Sequence, residues 1–309
     1  MTELVTDIPA DLNAAVFIVL HFSGKSVGEL LLERTRVISP LPCLIAKDQE
    51  VIKPGHIYIG PPDVHLLIKK GKIVIGHGPT ENRFRPSIDV LFRSAAASYG
   101  ERAIGIVLTG LLNDGTAGMW AIRQSGGHCI VQDPNQAEYP DMPLSVLETM
   151  EVDHVLPLAQ IGYAIEDIIS NKIIRGVSPP KIVVAESALS ERAATSIQEI
   201  DVLGELTAYT CPDCGGNLWQ MKNGHLVHYR CHIGHSYSEK ELGLKQKEDV
   251  EGALWVGVRM MEERKFFLMK MATQHIDKGL VKLGTHYRQQ AERLETHIIN
   301  IKDLLFKGL

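Results

Sequence analysis

Two side chains suited to proton transfer stand just beyond buried, strand-like runs. His21 ends "VFIVLH", and Asp114 lies in "IVLTGLLNDGTAG", Ile106 to Gly118. A carboxylate beside an imidazole accepts a hydrogen bond from one ring nitrogen, fixes the tautomer, and stabilises the imidazolium formed when the other nitrogen takes a proton. The plainer reading of Asp114, an N-cap for the helix that follows it, fits the spacing equally well. A second reactive group lies far downstream. Cys211, Cys214, Cys231 and His235 follow the spacing C-x2-C-x16-C-x3-H within "CPDCGGNLWQMKNGHLVHYRCHIGH". Two thiolates on a glycine-containing turn, a hairpin's length, and a second ligand pair make the geometry of a zinc ribbon, with His232 the rival for the fourth place. Four protein ligands close the shell, so a structural zinc is expected there and no cofactor for catalysis.

The elements that must position these residues read as an α/β fold, a doubly wound and mostly parallel sheet of Rossmann-like type. "AVFIVL" (Ala15 to Leu20), "AIGIVL" (Ala103 to Leu108) and "HCIVQ" (His128 to Gln132) are short continuous apolar runs. Such runs mark strands covered on both faces. "SIDVLFRSAAASYG" has helical spacing at Ile88, Leu91, Phe92 and Ala95, and "GTAGMWAIRQSGG" ends in a glycine pair suited to a helix C-cap. Two strand-like runs flank Lys70-Gly71 and predict a hairpin appended to the sheet. In open α/β sheets functional residues gather beyond the carboxyl ends of the strands, where His21 and Asp114 could meet. The domain boundaries expected are 1–175 for this domain, 176–207 for a linker containing "SPP", 208–238 for the Cys/His module and 239–309 for a helical tail. Tyr287, Ala291, Leu294, Ile298, Ile301 and Leu305 recur at steps of four and three, a short coiled-coil-like seam suited to protein contacts or self-association, or equally to a helix packed on its own neighbour in a helical hairpin.

Composition narrows the function classes. The chain has 309 residues, 45% of them hydrophobic, and a formal net charge of −5. That is the make-up of an ordinary soluble protein, with no basic surplus for nucleic acid. No segment has the uninterrupted apolar length for membrane insertion, and the first residues lack a signal-peptide pattern. A cytoplasmic location is expected. Of the 5 cysteines, Cys43 and Cys129 stand apart from the other three, which suits a reducing compartment and one metal site better than a disulfide framework.

Longer stretches resemble one family. "VLH" (Val19 to His21), "PGHIYIGPPDVHL" (Pro54 to Leu66), "RPSIDVLFRSAA" (Arg85 to Ala96), "LTGLLNDGTAG" (Leu108 to Gly118) and "QDPNQAEYPDMPLSV" (Gln132 to Val146) stand in order. From Leu4 to about Ile165 the chain resembles the catalytic domain of the CheB-type chemotaxis methylesterases, which hydrolyse glutamate methyl esters on chemoreceptors. The resemblance implies a Ser-His-Asp triad in which His21 and Asp114 hold the second and third places, and methyl-accepting chemotaxis-type receptors as partners. Many relatives also deamidate receptor glutamines. The sequence departs from the usual Thr-Gly-Met-Gly loop at Leu111 and Leu112. A subgroup of methylesterase-like proteins also carries a C-terminal module resembling Cys211 to Trp219 and Tyr229 to Ser238.

In the family the serine belongs to a G-A-S-x-G-G turn after a first strand, and both are expected upstream of Met1. Three expectations compete: a sequence that begins too late, a shortened protein kept as a non-catalytic signalling adaptor, or a substitute among Ser23, Ser26, Ser87, Ser94 and Ser98. The last is weakest, since none stands on the strand-to-helix elbow that aims a nucleophile. Ser87 reads as the N-cap of a helix beginning at Ile88, and His65 and His77 as structural or exposed.

Overall fold

The structure is a computed structural model and describes residues 2–21, 25–171, 175–192, 196–221 and 226–308. It divides into two compact units, Met1–Glu241 and Leu242–Leu309.

In the first unit, β1 (Val16–Ile18), β3 (Ile57–Ile59) and β2 (Cys43–Ile45) form a parallel sheet in the order β1-β3-β2. A second parallel sheet holds β6 (Ile104–Val107), β7 (His128–Gln132) and β8 (His154–Leu156) in chain order. The expected doubly wound pattern is thus present as two three-stranded halves, packed on common apolar residues such as Ile18, Ile57, Ile106 and Ile130. The helices α1 (Thr2–Thr6) and α6 (Leu158–Asn171) supply Leu4, Val5, Ile161 and Ile165 to that cluster.

The hairpin pairs β4 (His65–Lys69) with β5 (Lys72–Gly76), turning through Lys70 and Gly71, both at positive φ. Two left-handed residues in succession match the right-handed twist of the paired strands. Against β4 packs α3 (Ile88–Tyr99), which is followed past β6 by α4 (Thr116–Gln124). The two helices approach closely at Gly118, where a methyl group would stand 2.5 Å from Cβ of Phe92. α3 is not the simple amphipathic helix its apolar residues suggest. It buries Asp89, Arg93 and Ser94 as well as Val90 and Leu91.

The span 176–207 differs from the expected linker. It contains α7 (Lys181–Glu191) and α8 (Ile197–Leu203). Val183 joins the main core beside α3, and Ile200 packs with Trp219 and Met221. The reason lies in isolated apolar positions that two short helices bury against neighbours on each side, a pattern too brief to give clear periodicity. The Cys/His module follows as an antiparallel sheet of β9 (Gly204–Thr210), β10 (Asn217–Met221), β11 (His228–Cys231) and β12 (Ser236–Ser238), so its first strand starts ahead of residue 208.

In the second unit, α9 (Glu239–Asp277) and α10 (Val281–Lys307) pair side by side. Lys265 meets Glu295 and Lys302 meets Glu262, which sets the helices antiparallel. Ala291 and Ile298 of the seam are buried, and Gly284 lets α10 approach Ala272 and Ile276. No described helix is long and apolar enough to cross a membrane.

Candidate active site

His21 stands three residues past β1 and Asp114 seven past β6, both beyond carboxyl ends of parallel strands. The structure brings them together: Nε2 of His21 lies 2.7 Å from Oδ2 of Asp114. The loop that delivers Asp114 is pinned to the first turn of α5 (Asp141–Thr149) and the residues just before it. The Gly110 amide donates to the Tyr139 carbonyl at 2.9 Å, and the Met142 amide donates to the Gly110 carbonyl at 3.0 Å. Leu112 adopts a left-handed φ of 66° and Leu111 is exposed, so the departure from the family loop is carried on the surface.

Asp114 is fully buried and does cap a helix, though not its own. Its carboxylate accepts from the Ile88 amide at 2.6 Å, the Asp89 amide at 3.3 Å and the Ser87 hydroxyl at 2.8 Å, and so caps α3 from across the fold. α4 starts instead at Gly115, whose left-handed φ of 97° frees Asp114 to face α3. Ser87 does occupy the N-cap position of α3, but its hydroxyl serves Asp114 and not the helix. Burial works to raise the Asp114 pKa, yet its bond to His21 and these donors hold the carboxyl below its ordinary value. An ionised, immobile carboxylate on Nε2 leaves Nδ1 as the ring nitrogen for proton transfer.

Residues outside the sequence-level reading complete the site. Asn82 donates through Nδ2 to Asp89 at 2.7 Å and to Asp114 at 3.3 Å. Asp89 also accepts from the Gly118 amide at 2.6 Å. Burial, then the charge of neighbouring Asp114, push the Asp89 pKa up to about 8. Phe84 stacks on the His21 ring. His21, Phe84, Arg83 and Arg85 line an open cleft of about 340 Å³. One signal for Asp89 was visible: with Arg93 it forms an i, i+4 pair of charges in a helix otherwise made mostly of apolar residues.

The remaining serines divide clearly. Ser94 and Ser98 bond to the backbone of Ile68, on β4. Ser23 lies outside the described residues, and Ser26 falls within α2 (Lys25–Ile38). His65 is buried and bonds the Pro79 carbonyl at 2.8 Å, with its pKa lowered mainly by burial; His77 is exposed.

In the module, Cys211, Cys214, Cys231 and His235 converge, with all four ligand atoms within 4.8 Å of one another. The sulfurs of Cys214 and Cys231 lie 3.8 Å apart. That separation is the edge of a tetrahedron with metal–sulfur bonds of about 2.3 Å. Cys211 sits on a tight knuckle closed by its bonds with Gly215 and Gly216, and Cys231 on another closed by Gly234 and His235. A soft, three-sulfur and one-nitrogen set of this shape fits zinc. His232 stands against Trp219 instead.

Comparison with known proteins places this geometry. The family model described as CheB methylesterase matches residues 1–165. A relative from Leptospira interrogans is 39% identical over 167 residues, covering 52% of this chain and 84% of that protein. Proteins from Salmonella typhi and Escherichia coli K12, both named protein-glutamate methylesterase/protein-glutamine glutaminase, are 36% and 33% identical over the same length, which is 48% of each. The crystal structure of the Thermotoga maritima CheB methylesterase catalytic domain superposes with a TM-score of 0.52 at 30% identity, covering 54% of this chain and 90% of that one. The strands that carry His21 and Asp114, and the helix that Asp114 caps, all lie inside the matched segment, and through it this chain belongs to the CheB methylesterase family.

Proposed function

We propose that the first domain acts in hydrolysis of glutamate methyl esters on chemotaxis-type receptors, with His21 as general base and Asp114 as its orienter. The 2.7 Å contact between His21 and the wholly buried Asp114 carries this reading. A serine hydroxyl attacks the ester carbonyl while Nδ1 of His21 takes its proton. Methanol leaves with that proton, and water then attacks the acyl-enzyme through the same base, restoring the serine and releasing a receptor carboxylate. The family resemblance assigns that serine to a turn ahead of residue 1. The same chemistry on a primary amide deamidates glutamine.

Cys211, Cys214, Cys231 and His235 hold a structural zinc in this reading, and the buried free thiols of Cys43 and Cys129 suit a reducing cytoplasm. The test compares methanol release from methylated receptor by the 309-residue chain and by a form extended in frame upstream. Release by the extended form, lost in His21→Gln, is expected. Hydrolysis indifferent to His21→Gln overturns the assignment, and receptor binding without release from either form establishes an adaptor.

A further inference from the structure

The module does not hang from the esterase domain by a tether. Glu81, Arg93 and Arg230 are 2%, 2% and 3% exposed and meet in one cluster. The two oxygens of Glu81 pair with Arg93 of α3 and Arg230 of β11. Ser190 of α7 donates to Glu81 at 2.9 Å while accepting from Arg93 at 3.0 Å and from Arg230 at 3.2 Å. Its one proton and two lone pairs are thereby all used. Three parts of the chain thus close on one carboxylate.

The next residue carries this docking to the site. The Asn82 amide donates to the Ser236 carbonyl at 2.8 Å, and Oδ1 of Asn82 accepts from the Ser238 amide at 3.1 Å. β12 therefore grips both backbone and side chain of the residue whose Nδ2 donates to Asp89 and Asp114. Gly234, at a φ of 117°, packs against Pro79, and Asn113 donates to the Ser238 hydroxyl. Asn82 and Arg83 both adopt left-handed φ, of 49° and 72°. The turn they make hands the chain to Phe84, which faces the His21 ring.

We propose that the Cys/His module is a built-in brace of the esterase site, in which Arg230 and β12 hold Glu81 and Asn82 as positioning residues for Asp114 and His21. The inference rests on His21 and Asp114 being the reacting pair, but its geometry stands whether or not this chain hydrolyses esters. A merely adhesive contact between two domains needs no buried charge, since apolar residues of the same volume serve as well or better; a buried charge cluster selects one arrangement. The arrangement selected here fixes a side-chain amide against Asp114. A change in the module, through its metal or its surface, is then felt at His21.

The experiment reads the ring ¹⁵N resonances of His21 in the full chain with labelled histidine, assigned with His21→Gln. Arg230→Met is expected to displace the His21 Nε2 signal, and Arg230→Lys to restore at least half of the displacement. The signals of His154 and His297 should stay in place, which separates positioning from general loss of fold. Ser190→Ala, a smaller change, should move His21 in the same direction by less, and serves if Arg230→Met does not fold. A His21 signal unmoved in the folded variants, while resonances of the module change, overturns the proposal. Because no ester is involved, that outcome is distinct from failure of the hydrolase assignment.

Discussion

Phe84 lies face to face with His21, the ring centroids 3.6 Å apart and the planes within 3°. The flat contact leaves the imidazole its in-plane bond to Asp114 while blocking rotation out of it. Phe84→Ala should therefore lower hydrolysis by an extended, serine-bearing form roughly 10- to 100-fold, the order expected when a reacting group is misplaced by about 1 Å. The loss should fall on kcat more than on KM, read from methanol release under saturating receptor.

Asp89 predicts an unusual dependence of stability on pH. Its pKa rises from 3.8 to about 8 on folding, so its proton stabilises the native state at acid pH. That contribution is full below the unfolded value and drains away as pH rises toward 8. Between pH 5 and 7 the wild type should lose on the order of 2 kcal/mol relative to Asp89→Asn. Urea unfolding of both proteins at the two pH values checks the slope.

Glu81 behaves with the opposite sign. Burial acts to raise its pKa, but the guanidinium charges of Arg230 and Arg93 outweigh it and hold the carboxyl far below the ordinary range. Its stabilisation is present above the unfolded pKa and is lost as pH falls through the folded one. Glu81→Gln should cost about 3–5 kcal/mol near neutral pH, since two buried arginines lose their counter-charge. Denaturant midpoints measure it, and the cost should shrink in acid.

The zinc assignment predicts one metal ion per chain by elemental analysis. Cys231→Ala should lose it, and the β9–β12 sheet should then give up the amide protection of Leu218 and Tyr229, because ligand binding is coupled to folding of so small a sheet. β6 and β7 should keep theirs. Hydrogen exchange distinguishes the two regions.

Gly118→Ala tests the crossing of α3 and α4. The added methyl meets Phe92 at 2.5 Å and Cα of Asp89 at 3.0 Å, both parts of a packed helix with little room to yield. A loss of about 1–3 kcal/mol is expected, with the Gly118 amide drawn away from Asp89. Thermal unfolding provides the measurement.

The meeting of His21 with Asp114 and the convergence of Cys211, Cys214, Cys231 and His235 were legible because each rests on local pattern: a strand's end, a turn before a helix, a short run of cysteines. The Lys70-Gly71 turn was legible for the same reason. Asn82, Glu81 and Arg230 were not, since their partners lie up to 156 residues away and nothing in a run of five or ten residues marks them. The cap formed by Asp114 shows the limit most plainly. The residue type announced a cap, but only the left-handed Gly115 decides that it serves α3 and not α4. The span 176–207 was misread through its proline and lack of period, although Val183 and Ser190 each have a place in a core or cluster.

The cluster at Glu81 also bears on where this chain can be cut. A fragment ending near residue 165, where the family match stops, would keep Arg93 but shed Ser190, Arg230 and the strand that grips Asn82. The compact unit Met1–Glu241 keeps all of these partners together, so the unit to transplant, express or evolve as a whole is the methylesterase-family domain together with its cysteine module.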